Sequence, residues 1–226
     1  MHLFNLSYRV RQFRQGIRAQ VTALEYEHVA GFLEDASYQL FTQMPVDIQR
    51  HSLNVLYTLT EAERLPTLAE MASKASAKRV SATKVSAKQN DQNTALAMAA
   101  LLHDVGKSET AKVGVTLNSW VRTGVVAGET LVPTLLTRIA TDTPTPNDGV
   151  KGLANRVGYV CHVHLMHPAI GAQMAADAGC SQLVCWLIAH HQDKEGQVLS
   201  PAHGTDMRLA ERYSLLRALQ WADGQN

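Results

Sequence analysis

The chain has 226 residues, 46% of them hydrophobic and 18% charged, and its 21 Lys and Arg nearly balance 20 Asp and Glu for a formal net charge of +1. This composition argues against a disordered chain, a collagen-like repeat and a protein held to polyanions by its overall charge. A chain of this length buries roughly 70% of its unfolded surface, so one well-packed domain is the default expectation.

The three cysteines are odd in number and show no C-x-x-C spacing: Cys161, Cys180 and Cys185. They predict neither a disulfide framework nor a thiolate zinc site, and they favour a reducing, cytoplasmic location. The longest apolar run, residues 95–102, is far shorter than the ~20 residues of a membrane-spanning helix. The first residues also lack the apolar stretch of a signal peptide, so we expect no transmembrane segment.

Two helices are predicted before residue 45. Residues 3–17 carry an apolar stripe at helical spacing with arginines off it, which indicates a basic amphipathic helix. Packing on its own domain explains this helix better than attachment to an anionic membrane. A second helix is predicted over residues 21–41, ended by Met44-Pro45. We expect residues 1–44 to be a helical extension packed on a domain of residues 45–226.

The next segments predict core helices separated by a basic loop. Residues 46–59 form an amphipathic helix with His51 on the apolar face. Residues 71–88 are rich in Ala, Ser, Thr and Lys without an acidic residue, which predicts a solvated loop rather than a nucleic-acid site, so no nucleic-acid partner is expected. Residues 93–105 are almost wholly apolar, which is typical of a helix buried on most sides, and Gly106 is the expected C′ residue.

The remaining elements are also helical. Helices are predicted over residues 117–125, 129–140, 168–178, 181–191 and 206–223, with loops at 141–149 and 196–204. Pro168 opens one helix at the favoured first-turn position, and Ser181 caps the next. Because no alternating strand pattern of useful length occurs, the fold is predicted to be all-α.

The dipeptide His103-Asp104 places a carboxylate at the end of a buried helix, where it needs an ion pair or a metal. A lysine or arginine partner would be the expectation if this were the only signal. His51 and Asp223 also fall on the apolar faces of their helices. Three helices therefore each direct nitrogen or oxygen ligands inward, a set that suits a divalent transition metal with open water positions.

Further histidines extend this pattern. As ligands, His167, His190 and His191 would complete a second metal position, although a histidine pair at a helix end can also be explained by the helix dipole. His162 and His164 are interpreted as loop or packing residues and are not counted as ligands. Asp223 lies where chain ends commonly fray, so Asp206 is the substitute candidate.

The ligand order resembles the HD-domain superfamily of metal-dependent phosphohydrolases, whose motif is a histidine, then His-Asp, then a later aspartate. Residues 100–107 (ALLHDVGK) are similar to its central signature, and residues 50–55 (RHSLNV) to its first-histidine helix. Residues 167–172 (HPAIGA) followed by 189–191 (AHH) resemble the branch with extra histidines and two metals. The resemblance covers about residues 45–226.

This resemblance implies an HD-domain-like helical bundle that holds one or two divalent ions, with Mn, Fe, Ni, Mg and Zn all open. It implies hydrolysis of a phosphoester or phosphoanhydride of a nucleotide or another small phosphorylated molecule by metal-activated water. The implied metal ligands are His51, His103, Asp104, His167, His190, His191 and Asp223. A non-catalytic HD-type domain that binds a metal, a ligand or a partner is the alternative.

Asp104 and Lys107 are the residues expected to take part in catalysis. Asp104 would bridge if two ions bind, and Lys107 would neutralise charge on the transferring phosphoryl group, with a surface lysine beyond the helix end as the equal alternative. Residues 192–197 (QDKEGQ) stand where the cyclic-dinucleotide phosphodiesterase branch carries Gly-Tyr-Pro. Cyclic di-GMP is therefore not assigned as the substrate.

Overall fold

The computed structural model describes residues 19–62, 84–114, 153–194 and 207–226. In these ranges the chain forms the helices α1 (Ala23–Ala30), α2 (Asp35–Gln43), α3 (Val46–Glu61), α4 (Lys84–Leu102), a 3₁₀ helix (Val105–Val113), α5 (Leu153–Asp177), α6 (Gln182–His190) and α7 (Met207–Asp223). No strand occurs in the described ranges, which confirms the all-α prediction. None of these helices combines the length and apolar character that crossing a bilayer requires.

Several predictions fall outside the described residues. They concern the helices at 3–17, 117–125 and 129–140, the loops at 141–149 and 196–204, most of the loop at 71–88, and Asp206.

The single helix predicted over residues 21–41 is in fact two helices. α1 ends at Ala30, directly before Gly31, and α2 begins after Glu34, whose backbone is extended. The turn between them lets both helices contribute to one core, because Val29 and Phe41 are both fully buried in the same apolar cluster. Helical spacing alone did not reveal the turn, since apolar residues continue through it.

The helix α4 is the centre of the bundle and packs against α3, α6 and α7. Its C-terminal half is buried, with Leu96, Leu101 and Leu102 at most 1% exposed. α3 confirms the helix predicted over residues 46–59 and begins directly after Pro45. The core therefore surrounds the end of α4, where His103 and Asp104 follow.

The start of α4 differs from the prediction. The helix begins at Lys84, inside the stretch predicted to be a loop, so that prediction is wrong for residues 84–88. The lack of acidic residues does not oppose a helix there, because three of the five residues, Lys84, Ala87 and Lys88, have high helix propensity.

The chain continues past α4 as a 3₁₀ helix, so the prediction that Gly106 is a C′ residue is wrong. Among the described residues, the glycines with positive φ are Gly114 and Gly179. Gly106 serves a close approach instead: a Cβ there would lie 2.1 Å from the carbonyl oxygen of His167 and 2.7 Å from the backbone nitrogen of Gly171. The backbones of the 3₁₀ helix and α5 therefore touch at this point.

The 3₁₀ geometry also decides which side chains point inward. A 3₁₀ helix has three residues per turn, so residues three apart share a side. Four buried residues follow this period: Asp104, Lys107, Thr110 and Val113. Lys107 is thus held inside the protein beside Asp104 and is not a surface lysine.

Pro168 lies inside α5, so the prediction that it opens a helix is wrong. Proline has no N–H and leaves the carbonyl of the residue four positions earlier without its helical donor. That carbonyl belongs to His164, and the Nδ1 of His167 lies 2.7 Å from it. A side chain therefore supplies the hydrogen bond that the proline backbone cannot make.

The last two helices begin and end close to the predicted residues. Ser181 caps α6 by accepting a hydrogen bond of 3.4 Å from the backbone N–H of Val184. α6 and α7 both pack on α4 and on each other. This packing brings His191, directly after α6, and Asp223, at the end of α7, towards the end of α4.

Candidate metal centre

Six of the seven predicted metal ligands come together beside the end of α4: His51 on α3, His103 and Asp104 after α4, His167 on α5, His191 after α6, and Asp223 on α7. Their ligand atoms form three overlapping groups of three, and within each group all atoms lie within 4.8 Å of one another. Buried His and Asp groups of this kind could hold a metal ion.

Asp104 lies at the centre, and its two oxygens face different histidines. Oδ1 is 3.4 Å from His167 Nε2 and 3.7 Å from His191 Nε2. Oδ2 is 3.7 Å from His103 Nε2 and 3.9 Å from His51 Nε2. Since a metal–nitrogen bond is about 2.0–2.1 Å, two ligands of one ion lie at most ~4.2 Å apart. Each oxygen therefore lies close enough to two histidine nitrogens to share a metal ion with them.

Three of the histidines are oriented in the same way. The Nδ1 atoms of His103, His167 and His191 lie 2.9, 2.7 and 2.8 Å from the carbonyl oxygen three residues earlier. A carbonyl oxygen only accepts, so each Nδ1 must carry the proton and donate it. In the neutral ring, Nε2 then presents a lone pair, which is the form that binds a metal.

The helix ends and Pro168 make this arrangement possible. In a helix the carbonyl of residue i−3 accepts from the N–H of residue i+1. α4 ends before His103 and α6 ends before His191, so the regular ladder stops at both places. At His167 the residue i+1 is the proline, which has no N–H. Each histidine therefore finds a carbonyl that the helix does not fully use.

Within the described part of the chain, the Nε2 atoms of His103, His167 and His191 have no hydrogen-bond partner. Among the described residues, six buried side-chain nitrogen or oxygen atoms make no hydrogen bond, and four of them belong to this cluster: His103 Nε2, Asp104 Oδ1, His167 Nε2 and His191 Nε2. Native proteins rarely leave such atoms unsatisfied, and each instance asks for an explanation such as an ion. This concentration at one point is consistent with a metal ion as the missing partner.

Four of the pKa shifts in the cluster favour the form of the side chain that binds a cation. Burial, assisted by Lys107, lowers the pKa of His167 to about 3, so this ring is neutral near pH 7. Burial also lowers the pKa of His51. Burial opposes the charged forms of Asp104 and Asp223, but Lys107 and His103 outweigh it at Asp104, and the two histidines His103 and His51 outweigh it at Asp223, so both pKa values fall well below the usual range.

His103 differs from His51 and His167 in the direction of its pKa shift. Burial disfavours its protonated form, but the carboxylates of Asp104 and Asp223 outweigh burial and raise its pKa. A cation that binds here would therefore compete with a proton for His103, since a ligand imidazole must be neutral.

Lys107 forms an ion pair with Asp104, which is the partner expected for a buried carboxylate that binds no metal. Its Nζ lies 2.5 Å from Asp104 Oδ2, and the two side chains are 8% and 1% exposed. The pair satisfies only Oδ2, however, and leaves Oδ1 facing the lone pairs of His167 and His191. An ion pair alone therefore does not account for the cluster.

Asp223 is held in place although it lies near the end of the sequence. Its Oδ1 is 2.9 Å from His51 Nε2 and 3.7 Å from His103 Nε2. The following turn is fixed because the side-chain amide of Asn226 donates to Thr58 Oγ1 and to the carbonyl of Ala222, both at 2.9 Å. The described structure thus joins Asp223 to the cluster, whereas Asp206 lies outside the described residues.

The seventh predicted ligand, His190, is not brought into the cluster. Its Nδ1 lies 2.6 Å from Asp193 Oδ2, and its ring stacks obliquely on Trp186 with centroids 4.8 Å apart. The side-chain amide of Gln220 on α7 donates to the carbonyl oxygens of both His190 and Asp193, at 3.3 and 2.9 Å. His190 therefore contributes to the contact between α6 and α7, and its neighbour His191 turns inward.

Two glycines that sequence reasoning did not assign to the site set its dimensions. Gly106 and Gly171 lie where the 3₁₀ helix crosses α5, and a Cβ on Gly171 would lie 3.1 Å from the backbone nitrogen of Gly106. This crossing fixes the separation of Asp104 and Lys107 on one side from His167 on the other. The sequence signal was a glycine in each of the two histidine motifs, residues 103–107 and 167–171.

Comparisons of the chain with protein-family models, with curated proteins and with solved structures found no match. The functional assignment therefore rests on the residues and geometry of the cluster.

Proposed function

We propose that this chain is a metal-dependent phosphohydrolase of the HD type, acting on a nucleotide or another small phosphorylated molecule. The observation that carries the proposal is the shared carboxylate of Asp104, with histidine Nε2 atoms within 3.9 Å of both oxygens. The order of the ligands along the chain, a histidine, then His-Asp, then a later aspartate, is the second support.

The ligand chemistry suits hydrolysis of a phosphate ester or anhydride. When bound, a divalent cation supplies a water whose pKa falls from 15.7 to about 7 and polarises phosphoryl oxygens. A mixed set of histidine and carboxylate ligands suits Mn, Fe, Ni or Zn better than Mg, which prefers a site made of oxygen ligands alone. Six side chains would hold the ion or ions: His51, His103, Asp104, His167, His191 and Asp223.

The exposure of the ligands indicates where a substrate enters. The side chains of Asp104, His103, His167 and His191 are at most 1% exposed, whereas His51 is 12% and Asp223 28% exposed. Water and a phosphoryl group therefore reach the cluster from the side of His51 and Asp223. The buried ligands behind them exclude water and strengthen the electrostatic interactions at the site.

Lys107 is a cationic side chain that would act on the substrate. Its ammonium group lies beside Asp104, inside the protein. From there it would stabilise negative charge that develops on a phosphoryl oxygen.

A binding domain without catalysis is the second candidate, and the ion pair between Asp104 and Lys107 favours it. That pair already neutralises one carboxylate oxygen without any metal. Turnover separates the two candidates, because both of them bind a metal and only one hydrolyses phosphate.

The test is a panel of phosphomonoesters, nucleotides and cyclic nucleotides assayed with Mn²⁺, Ni²⁺, Fe²⁺, Zn²⁺ or Mg²⁺. We expect phosphate release from at least one class of substrate, reduced about 100-fold or more in Asp104→Asn and His167→Ala. His162→Ala is the matched control, because His162 lies on α5 but its ring stacks on Tyr159 outside the cluster. Equal activity in the wild type and Asp104→Asn would reject the proposed site.

A further inference from the structure

The two oxygens of Asp104 separate two metal positions that differ in what already binds them. We call Asp104 Oδ1, His167 and His191 the His167 group. We call Asp104 Oδ2, His51 and His103, with Asp223 beside them, the His51 group. The difference between the two groups concerns the order in which they fill, and it rests on the metal site of the proposed function.

The His167 group is ready to bind a cation without breaking an existing contact. Its three ligand atoms are buried and have no hydrogen-bond partner among the described residues. The rings of His167 and His191 are fixed by hydrogen bonds from Nδ1 to backbone carbonyl oxygens. The distances of 3.4 and 3.7 Å to Oδ1 already fall within the range of ligands that share one ion.

The His51 group must first give up two interactions. Asp104 Oδ2 is bound by the ammonium of Lys107 at 2.5 Å, and His51 Nε2 is hydrogen-bonded to Asp223 Oδ1 at 2.9 Å. A divalent cation on Oδ2 would lie next to the ammonium, and two cations on one carboxylate oxygen repel each other. Lys107 therefore has to leave Oδ2 before this group binds a metal.

Ligand number alone predicts the opposite order. The His51 group offers four side chains and a second carboxylate, which favours the tighter site when nothing competes. The competing ammonium and the hydrogen bond between His51 and Asp223 reverse that preference. The order in which the two metal positions fill therefore depends on these existing contacts and not on the number of ligands.

We propose that the His167 group binds the first divalent cation, and that Lys107 holds back the second by occupying Asp104 Oδ2. Lys107 thereby makes the loading of the two positions stepwise. Once displaced from Oδ2, its ammonium becomes available for other negative groups at the site.

The experiment is a titration of the metal-free chain, residues 1–226, with Co²⁺, followed by its visible absorption and by calorimetry. We expect two binding events in the wild type, the first at least about ten-fold tighter. His167→Ala should remove the first event, whereas His51→Ala should leave it and remove the second. Lys107→Met should tighten the second event about ten-fold or more and leave the first unchanged.

Circular dichroism of each variant checks that it folds. If Lys107→Met does not fold, the two histidine variants still test the order of metal binding. Loss of the tight event in His51→Ala with its retention in His167→Ala would overturn the proposed order. An unchanged second event in a folded Lys107→Met would overturn the role of the lysine.

The outcomes also separate this inference from the proposed function. No Co²⁺ binding by the wild type would reject both. Ordered binding without phosphate release from any substrate would reject the hydrolase alone.

Discussion

Asp104 Oδ1 and His167 Nε2 face each other at 3.4 Å without a hydrogen bond. The proton of His167 is on Nδ1, where it is donated to the carbonyl of His164. An ionised carboxylate and a lone pair thus meet in a part of the protein where both side chains are almost completely buried. A cation bound by both atoms would replace the repulsion between the carboxylate and the lone pair with two favourable contacts. Metal binding should therefore stabilise the folded state.

The first prediction concerns thermal stability. At a free metal concentration 100 times Kd, binding adds about 2.7 kcal/mol to the free energy of unfolding. For a chain of this length the melting temperature should rise by roughly 5–10 °C. Differential scanning calorimetry measures this increase when the metal-free protein is compared with the same protein after addition of Mn²⁺, Ni²⁺ or Zn²⁺.

His162→Ala, which lies outside the cluster, should show the same increase, and Asp104→Asn should show little or none. A protein whose melting temperature is unaffected by all three ions has no metal centre of the kind described.

The second prediction concerns the backbone crossing. Gly106→Ala places a Cβ at 2.1 Å from the carbonyl oxygen of His167, so the 3₁₀ helix and α5 must separate. We expect a loss of about 2–3 kcal/mol in the free energy of unfolding, with weaker metal binding, measured by urea denaturation and calorimetry. Gly31→Ala is the control, because Gly31 has φ −73° and its Cβ would approach His28 O only to 3.2 Å. Equal stability of both variants would show that the crossing tolerates a side chain.

The third prediction separates stability from metal binding. Pro168→Ala restores a backbone N–H that competes with His167 for the His164 carbonyl. We expect metal affinity to fall about ten-fold or more because the ring orientation is no longer fixed. Stability without metal should stay equal or rise, since an interior proline costs a helix about 3 kcal/mol.

Calorimetric titration gives the affinity, and nitrogen NMR of the histidine rings reports the position of the proton. Met166→Ala, at a 45% exposed position on the same helix, should leave both unchanged. Unaltered metal affinity in Pro168→Ala would mean that the His164 carbonyl does not orient His167.

The fourth prediction concerns the contact between α1 and α3. Glu25 accepts hydrogen bonds from Arg50 at 2.8 and 2.6 Å and from the Tyr57 hydroxyl at 3.0 Å, and it also closes the capping box with Thr22. Arg50 is the main cause that lowers the pKa of Glu25 from 4.5 to about 2. A lowered carboxyl pKa stabilises the folded state above the unfolded pKa and ceases to do so as the pH falls through the folded pKa.

Glu25→Gln should therefore lower the free energy of unfolding by about 1 kcal/mol at pH 7, from the lost ion pair with Arg50, because Gln can still close the capping box with Thr22. The difference from the wild type should stay constant down to about pH 4.5 and shrink between pH 4.5 and 2. Urea denaturation at several pH values measures it, with the exposed Glu27→Gln as control. A difference that does not change with pH would show that the charge of Glu25 contributes nothing.

Helical periodicity was sufficient to predict much of the ligand set. His51 and Asp223 were placed from the apolar stripes of their helices, and the structure brings both to His103 and Asp104. The choice between His190 and His191 was open to the same reasoning, because the inward stripe of α6 runs through Val184, Leu187, Ile188 and His191. That stripe passes through His191 and not through its neighbour.

The features that could not be predicted depend on contacts between distant backbone segments. Gly106 has the sequence context of a helix end, and only the crossing with α5 explains why a glycine is needed there. The buried position of Lys107 depends on the 3₁₀ period, which a single turn of sequence does not reveal. Pro168 was assigned its usual place at a helix start, because the side-chain hydrogen bond that replaces its missing donor is visible only in three dimensions.

Because of the contact between Gly106 and Gly171, the geometry of the His/Asp cluster depends on how α5 is attached to the bundle. Since main-chain atoms meet there with no side chain between them, α5 cannot swing away without pulling His167 off Asp104. Occupancy by an ion should then slow hydrogen–deuterium exchange along α5 more than in α1 or α2. A bound ion would link α5 to the other helices of the bundle through ligands inside the core.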